Sequence, residues 1–242
     1  MSDGADLLDR AQRTAGAVPQ PSQPFDVATA YRIQHEVIAH RIGRGEVLAG
    51  AKLGFTSKAK MAQMGVGDVI VGQLTDAMRC ADGDDIALSR FIHPRIEPEV
   101  AFRLGPDLSP DAVAPALEII DSRYVDFRFS LPDVIADNTS AAAFAVGTWL
   151  PLGQDATRDL GNRAVILEAG GAVADTGSTA AILGHPLRAL AALGRLASRH
   201  EIPVRPGDVI LAGAATAAIP FAPGVYTARV AGLGSVTVRG VR

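Results

Sequence analysis

The chain has 242 residues, of which 48% are hydrophobic and 20% are charged, so it can bury a sizeable core in one large or two small domains. The formal net charge of −3 gives no basic footprint for nucleic acid or an anionic membrane, and the single cysteine, Cys80, excludes an internal disulfide and a multi-cysteine zinc site. No apolar stretch approaches about 20 residues without a charge, so we expect no transmembrane helix. The N-terminus is polar and acidic, unlike a signal peptide, and we expect a reducing, cytoplasmic location.

The predicted elements divide the chain into a helical N-terminal region, residues 1–50, and a β-rich domain, residues 51–242, that would carry the functional site. Apolar residues at helical spacing predict helices over 5–15, 27–42, 57–64 and 186–200. Strand-like runs cover 51–56, 209–211, 225–230 and 235–238, and most of the chain from residue 69 to 186 is β-rich. The expected fold class is α+β, with long crossing connections between strands.

Two glutamates lie two residues apart in a strand-like run, Arg95-Ile96-Glu97-Pro98-Glu99-Val100-Ala101-Phe102. Side chains two apart on a strand point to the same face, so Glu97 and Glu99 would project together. Adjacent carboxylates repel each other, and a divalent cation such as Mg²⁺ or Mn²⁺ removes that repulsion. Pro98 has no N–H for a ladder, so we expect the strand to lie at an edge or to be irregular there. An isolated pair of this kind is more often solvated, but these neighbours are apolar.

A third acid, Glu118, stands among Leu117, Ile119 and Ile120 in a pattern typical of a buried strand. An acid in such a run is costly to bury unless it is paired or binds metal. Three carboxylates from two neighbouring strands would hold one cation and leave its other positions open for water or a chelating substrate.

Other segments offer chemistry, and each also has a simpler structural interpretation. Lys52, near a strand end before Gly54, could bind a carboxylate, polarise a carbonyl or carry a proton, or could be an exposed strand lysine. Asp76 could carry a proton or cap a turn, and Asp137 with Asn138 could form a simple turn. Small-residue loops at 176–178 and 213–216 could present backbone N–H groups to anions or be tight connections.

Together these segments resemble the fumarylacetoacetate hydrolase superfamily, in its branch of 2-hydroxypentadienoate hydratases and 4-oxalocrotonate (2-oxo-3-hexenedioate) decarboxylases. The resemblance covers nearly the whole chain. The matching stretches are 52–57, 72–78, 93–99, 116–124, 136–138, 176–181 and 233–236. The decarboxylases are favoured by residues 121–124 with 130–134, by 177–181 before 184–187, and by 212–218.

The resemblance implies a mixed, β-roll-like sheet and an Mg²⁺ or Mn²⁺ ion held by Glu97, Glu99 and Glu118. It implies loss of CO₂ from 2-oxo-3-hexenedioate in the meta-cleavage breakdown of aromatic compounds, with Lys52 and Asp76 as catalytic residues. The implied substrate-binding residues are Gly54, Phe55, Gln73, Leu74, Asp137, Asn138, Thr176, Ser178 and Thr216. The implied partners are a small 2-oxo acid, further copies of this chain in a homo-oligomer, and a related hydratase in a possible complex.

Two departures from the superfamily pattern bear on the reaction. The connection between Glu99 and Glu118 is shorter than in relatives, which could change substrate closure or oligomer contacts. The stretch around 137–139 lacks the lysine that hydrolase branches carry, which argues against C–C bond hydrolysis. The alternatives are hydration of 2-hydroxypenta-2,4-dienoate and a non-catalytic partner role in a hydratase–decarboxylase complex. Retention of the three acids and Lys52 speaks against the second.

Overall fold

The structure is a computed structural model that describes residues 3–57, 61–62, 67–152 and 160–242. Its helices are α1 (Asp3–Thr14), α2 (Val27–Gly43), α3 (Leu131–Ala136) and α4 (Leu187–His200). The helix predicted over 57–64 falls mostly outside the described residues. No helix in the described ranges is long and apolar enough to cross a membrane.

Local capping chemistry explains where the helices begin and end. The Asp26 carboxylate accepts a hydrogen bond of 2.7 Å from the Thr29 N–H at the start of α2. Ser130 and Asp133 form a reciprocal capping box at the start of α3. Helix α4 ends where Glu201 adopts a left-handed conformation, and Leu193 and Leu196 face the core. The sequence predicts an apolar stripe of Leu187, Leu190, Leu193 and Leu196 on this helix, and the stripe is shorter than expected because Leu187 is exposed.

The strands form two mixed sheets. The first contains β1 (Leu48–Gly54), β2 (Ile70–Thr75), β3 (Arg79–Cys80), β5 (Arg95–Leu104), β6 (Pro110–Ile120), β7 (Ala141–Val146), β8 (Leu150–Pro151), β11 (Val209–Ala214) and β12 (Ile219–Pro220). The second contains β4 (Asp85–Ala87), β9 (Ala164–Ala169), β10 (Ala172–Ser178), β13 (Gly224–Val230) and β14 (Gly234–Val241).

The first sheet is curled and has the order β2-β1-β11-β5-β6-β7-β3, with β12 paired to β5 and β8 paired to β6. The second has the order β10-β9-β13-β14-β4. The pairs β1–β11, β3–β7 and β4–β14 are parallel and the others are antiparallel. The predicted α+β class with a mixed sheet is confirmed. The short connection after Glu99 is the turn of the β5–β6 hairpin.

Pro98 lies on an interior strand of the first sheet. The sequence left two alternatives for this strand: the edge position is wrong, and an irregular ladder at Pro98 is confirmed. Strand β5 has β11 on one side and β6 on the other. The β11 register shifts between Leu211 and Ala214, and the Pro98 carbonyl accepts from the Ala215 N–H at 3.0 Å. A residue of an antiparallel strand directs its N–H and C=O to the same neighbouring strand, so the N–H that Pro98 lacks would have pointed to β11. The β5–β11 ladder is already broken at this point.

The N-terminal helices share a hydrophobic core with the strands. Buried Leu8 of α1 and Tyr31 of α2 belong to the same apolar cluster as Leu53 and Phe102 of the first sheet. The helical region ends close to the expected boundary, since β1 begins at Leu48. That residues 1–50 form a domain separate from residues 51–242 stays a prediction.

Candidate metal and substrate site

Three buried carboxylates converge at the centre of the first sheet. Glu97 and Glu118 are directly opposed in the β5–β6 ladder, and Glu99 follows two residues along β5. One carboxylate oxygen from each of the three lies within 4.8 Å of the others. Glu99 and Glu118 are fully buried and Glu97 is 8% exposed. The alternation of β5 and the register of the hairpin therefore place all three acids on one face.

Burial makes this cluster electrostatically expensive in the absence of a cation. Burial, followed by repulsion from Glu118 and Glu97, raises the pKa of Glu99 well above its ordinary value. Burial, opposed by Lys52 and reinforced by Glu97, raises the pKa of Glu118 to about 7. Glu99 Oε1 and Glu118 Oε2 are buried without an N–H or O–H donor in the described part of the chain.

The donor set fits a hard divalent cation. Three ionised carboxylates beside one lysine ammonium carry two uncompensated negative charges, which a divalent ion neutralises. Oxygen-only donors suit Mg²⁺ and Mn²⁺, and the orphaned oxygens of Glu99 and Glu118 supply lone pairs that the surrounding protein does not use.

Lys52 is part of the same buried cluster. Its Nζ lies 3.0 Å from Glu118 Oε1 and donates a hydrogen bond of 3.1 Å to the Thr139 carbonyl. Burial would lower the pKa of this ammonium, but Glu118, Glu97 and Glu99 outweigh burial and the pKa is raised. Lys52 therefore stays charged, with donors directed at the acids, and is not the exposed strand lysine considered from the sequence.

A close backbone approach fixes Glu99. The Gly213 N–H donates a hydrogen bond of 2.8 Å to Glu99 Oε2. Gly213 has φ +117°, and a Cβ atom there would lie 2.1 Å from Thr56 Oγ1. Only glycine fits both the conformation and the space, and the peptide N–H can then reach the carboxylate.

The turn that holds Lys52 has an unusual backbone. Asn138, Thr139 and Ser140 have φ values of 48°, 55° and 57°. The Asn138 side chain pairs with both backbone groups of Gln73, at 2.7 and 2.8 Å. Three consecutive left-handed residues without glycine require outside support, and they aim the Thr139 carbonyl at Lys52.

A buried ion pair supports this turn from behind. Arg123 pairs with the Asp137 carboxylate and also donates to the carbonyls of Asp121, at 2.9 Å, and Ala141, at 3.1 Å. Burial, partly offset by Arg123, raises the pKa of Asp137 to about 6. Asp137 and Asn138 thus support the cavity wall from behind and do not line the cavity.

A cavity of about 630 Å³ opens beside the carboxylates, a size that suits a small ligand. Of the predicted site residues it is lined by Lys52, Gly54, Phe55, Glu97 and Thr216. Residues that the sequence interpretation missed also line it: Arg95, Phe127, Phe129, Thr139 and Ser140. Arg95 carried a usable signal, since it is in phase with Glu97 and Glu99 on β5. Phe127 ends a short 3-10 helix, Val125–Phe127, and Phe129 lies in a loop.

Asp76 does not line the cavity, and its catalytic role stays a prediction. It is exposed, and its Oδ1 accepts hydrogen bonds of 2.9 Å from the N–H groups of Val47 and Ala77. Lys52 is opposite Gly72, whereas Asp76 follows Thr75, which is opposite Leu48 at the far end of the ladder. At about 3.4 Å per residue, this places Asp76 roughly 10 Å or more along the strand from Lys52. The turn-capping interpretation fits the geometry.

Six of the predicted substrate-binding residues do not line the cavity: Gln73, Leu74, Asp137, Asn138, Thr176 and Ser178. Gln73 and Leu74 are buried behind it, with Leu74 packed in a core cluster that includes Met78 and Phe144. Thr176 is exposed on β10, and Ser178 donates to Asn162 Oδ1 at 2.7 Å. Packing and edge-strand contacts account for these positions.

Comparisons with known proteins agree with this geometry. The chain is 45% identical to a 4-oxalocrotonate decarboxylase of a Pseudomonas species, over 96% of this chain and 95% of that protein. It is 36% identical to the 2-keto-4-pentenoate hydratase of Paraburkholderia xenovorans, over 88% of this chain and 83% of that protein. No protein-family model matches the chain.

Solved structures give the same result. The 4-oxalocrotonate decarboxylase from Pseudomonas putida G7, complexed with magnesium and adipate, is 34% identical and has a TM-score of 0.93 over 98% of this chain and 96% of that chain. The fumarylpyruvate hydrolase from Pseudomonas aeruginosa, in complex with Mn²⁺ and pyruvate, is 16% identical with a TM-score of 0.59 over 80% of this chain and 89% of that chain, which shows the shared fold. The chain therefore belongs to the 4-oxalocrotonate decarboxylase and 2-keto-4-pentenoate hydratase family.

Proposed function

We propose that this protein is a divalent-metal-dependent lyase that decarboxylates 2-oxo-3-hexenedioate to 2-hydroxypenta-2,4-dienoate and CO₂. The observation that carries the proposal is the buried set of Glu97, Glu99 and Glu118 beside Lys52, at the wall of a cavity of about 630 Å³. The identity of 45% to a 4-oxalocrotonate decarboxylase favours this reaction over others in the superfamily.

The three carboxylates would hold Mg²⁺ or Mn²⁺, as the relatives complexed with magnesium and with Mn²⁺ support. When bound, such an ion supplies Lewis-acid stabilisation of negative charge on a substrate oxygen. The magnesium-bound relative also carries adipate, a six-carbon dicarboxylate like the proposed substrate.

The movement of electrons in the reaction shows which charge the side chains have to stabilise and where a proton is needed. Breaking the C5–C6 bond releases neutral CO₂ and moves the bonding pair through the conjugated chain to the C2 oxygen, where one proton completes the enol. Lys52 is buried with its Nζ 3.0 Å from Glu118 Oε1, so its ammonium can stabilise negative charge on a substrate oxygen beside the acids and donate the proton.

Part of the cavity lining is apolar. Ala214, Ala217 and Ala218 line the cavity together with Phe127 and Phe129. Apolar side chains beside the distal end of the substrate accommodate neutral CO₂ once the C5–C6 bond has broken.

Hydration of 2-hydroxypenta-2,4-dienoate is the second candidate. Relatives named as hydratases are about as similar to this chain as the solved decarboxylase structure is, at 36% against 34% identity. The hydroxyl residues Ser57, Ser140 and Thr216 also line the cavity and could hold a water molecule.

The deciding experiment compares the two substrates with one purified protein and one metal. CO₂ release and water addition are measured as kcat/KM with Mg²⁺ and again with Mn²⁺. We expect decarboxylation to be the faster reaction. Hydration that is faster by about tenfold, a difference of ~1.4 kcal/mol in activation free energy, would reverse the choice between the two reactions and leave the metal site in place.

The homo-oligomer, the complex with a related hydratase and the cytoplasmic location stay predictions. Light scattering after size-exclusion chromatography measures the mass of the particle. Co-purification with the hydratase from the same cells tests the complex, and cell fractionation tests the location.

A further inference from the structure

A row of three charged side chains runs along one face of β5 from the interior to the cavity mouth. Arg95, Glu97 and Glu99 are two residues apart, so they share a face at steps of roughly 7 Å. Exposure rises along the row: Glu99 is fully buried, Glu97 is 8% exposed and Arg95 is exposed. A cation therefore stands at the outer end of the strand that supplies two of the three acids.

The guanidinium of Arg95 is held in position but its charge is not neutralised. Its Nε and Nη2 donate hydrogen bonds of 3.2 and 2.7 Å to the Ala218 carbonyl. Within the described ranges no carboxylate forms an ion pair with Arg95. The lysine differs in this respect, since Lys52 Nζ lies 3.0 Å from Glu118 Oε1.

Among the described residues that line the cavity, the cations are Lys52 and Arg95. Because the charge of Lys52 is matched by the acid cluster, Arg95 is the cation among these described lining residues that is available to a second ligand carboxylate. We propose that Arg95 binds the distal carboxylate of a dicarboxylate substrate and sets the preference for dicarboxylates over monocarboxylates, an inference that rests on the proposed function.

The dimensions of the row match a six-carbon diacid. With C–C bonds of about 1.5 Å, the two carboxyl carbons of an extended six-carbon chain lie roughly 6 Å apart. The step from Glu97 to Arg95 is of the same size, so a 2-oxo acid end beside the glutamates would bring the other end to Arg95. An arginine fork also matches a carboxylate in shape.

The timing of this contact predicts a kinetic signature. An ion pair between Arg95 and the distal carboxylate exists in the bound substrate and disappears as that group becomes neutral CO₂. Such an interaction stabilises the bound substrate more than the transition state. Arg95 is therefore a specificity-determining residue, and its loss should raise KM for 2-oxo-3-hexenedioate and leave kcat unchanged or higher.

The test uses two inert six-carbon probes, 2-oxoadipate and 2-oxohexanoate, which share the 2-oxo acid end and differ in a carboxylate or a methyl group at C6. Their affinities for the Mg²⁺-loaded protein are measured by calorimetry. We expect the wild type to prefer 2-oxoadipate by about tenfold or more, the scale of a hydrogen-bonded charge pair. Arg95→Gln should remove most of this preference, and Arg95→Lys should restore part of it. Arg79→Gln, the same charge change at an exposed residue of β3, should keep it.

Several results would overturn the proposal. One is a wild type that binds the two probes equally, which needs no variant. Another is an Arg95→Gln protein with an unchanged preference. A third is an equal loss of affinity for both probes, because it would mean that Arg95 only holds the Ala218 segment in place. The proposed function fails by a separate result, the absence of CO₂ release by the wild type.

Discussion

Lys52 and Glu118 form an ion pair inside the protein, with Nζ 3.0 Å from Oε1 and both side chains almost fully buried. Strands β11 and β5 lie between β1 and β6 in the sheet, so the pair joins strands that would be roughly 14 Å apart in a flat sheet. It forms because the sheet curls. The pair links the proposed proton donor to the proposed metal ligands.

Replacing Lys52 with Met should have opposite effects on turnover and on metal affinity. Turnover should fall by a factor of about 10² or more, the usual scale for a positioned proton-transfer group. Metal affinity should rise, because a cation that repels the metal is removed. Steady-state kinetics and calorimetry measure the two effects, with Arg79→Met as the control for lost charge. Near-wild-type kinetics would remove Lys52 from the mechanism, and weaker metal binding would point to a disturbed site.

Replacing Glu99 with Gln should weaken metal binding by about 100-fold or more and abolish turnover, since loss of even an indirect ligand contact often reduces affinity by about 10 to 100-fold. The amide keeps the size of the side chain but loses the charge. Calorimetry with Mg²⁺ and Mn²⁺ measures the change, and Glu97→Gln and Glu118→Gln should behave alike. Asp111→Asn, in an exposed ion pair with Arg103, serves as the control. Wild-type affinity in each of the three variants would rule out the site.

Metal affinity should depend on pH near neutrality. Burial raises the pKa of Glu118 to about 7, and burial with two neighbouring acids raises that of Glu99 well above its ordinary value. A metal must displace these protons, so its affinity should fall about tenfold per pH unit for each displaced proton as the pH drops below about 7. Calorimetry in buffers of different ionisation enthalpy counts the protons released. Affinity that is constant between pH 6 and about 8 would contradict this account.

The same raised pKa values predict the pH dependence of stability without metal. Between the ordinary pKa of Glu118, 4.5, and its folded value of about 7, the folded state binds more protons than the unfolded state. The stabilising contribution is therefore complete below 4.5 and is lost as the pH rises through about 7. We expect the metal-free Tm to fall from pH 5 to pH 8, and added Mg²⁺ to raise Tm more at the higher pH, on the scale of a few degrees per ~1 kcal/mol.

The sequence was sufficient to predict the acids, because their placement is local. Alternation along β5 puts Glu97 and Glu99 on one face, and the apolar neighbours of Glu118 mark a buried strand. Lys52 was found, but as a possible surface residue, since its burial depends on the curl of the sheet. Arg95 was missed although it shares the phase of the two glutamates.

Long-range pairing explains what the sequence did not reveal. The left-handed turn over 138–140 is held by Gln73 and by the Arg123–Asp137 pair, contacts between segments far apart in the chain. No local pattern distinguishes such a turn from a ligand-binding loop. The position of Asp76 also depends on long-range pairing, because the register of β2 on β1, not its own neighbours, determines its distance from Lys52.

Replacing Asp137 with Ala should destabilise the fold by about 3–5 kcal/mol, because it leaves the Arg123 guanidinium buried without its counter-ion. Chemical denaturation of the metal-free protein measures the loss. Asp111→Ala breaks an exposed ion pair and should change stability by about 1 kcal/mol or less. Similar losses in the two variants would show that the buried pair adds nothing beyond a surface one.

Replacing Gly213 with Ala should weaken metal binding through the backbone. The new Cβ would lie 2.1 Å from Thr56 Oγ1, so the peptide must move away from Glu99, whose Oε2 now accepts its N–H at 2.8 Å. Gly234→Ala is a matched control: its φ is +104°, and no atom lies within 4 Å of the added Cβ. Both variants should lose roughly 1–3 kcal/mol of stability from backbone strain. Only Gly213→Ala should also lose metal affinity, because only there does the strain act on a ligand. Calorimetry with Mg²⁺ and denaturation of both proteins separate the two effects, and equal metal affinity in the two variants would show that the Gly213 N–H does not position Glu99.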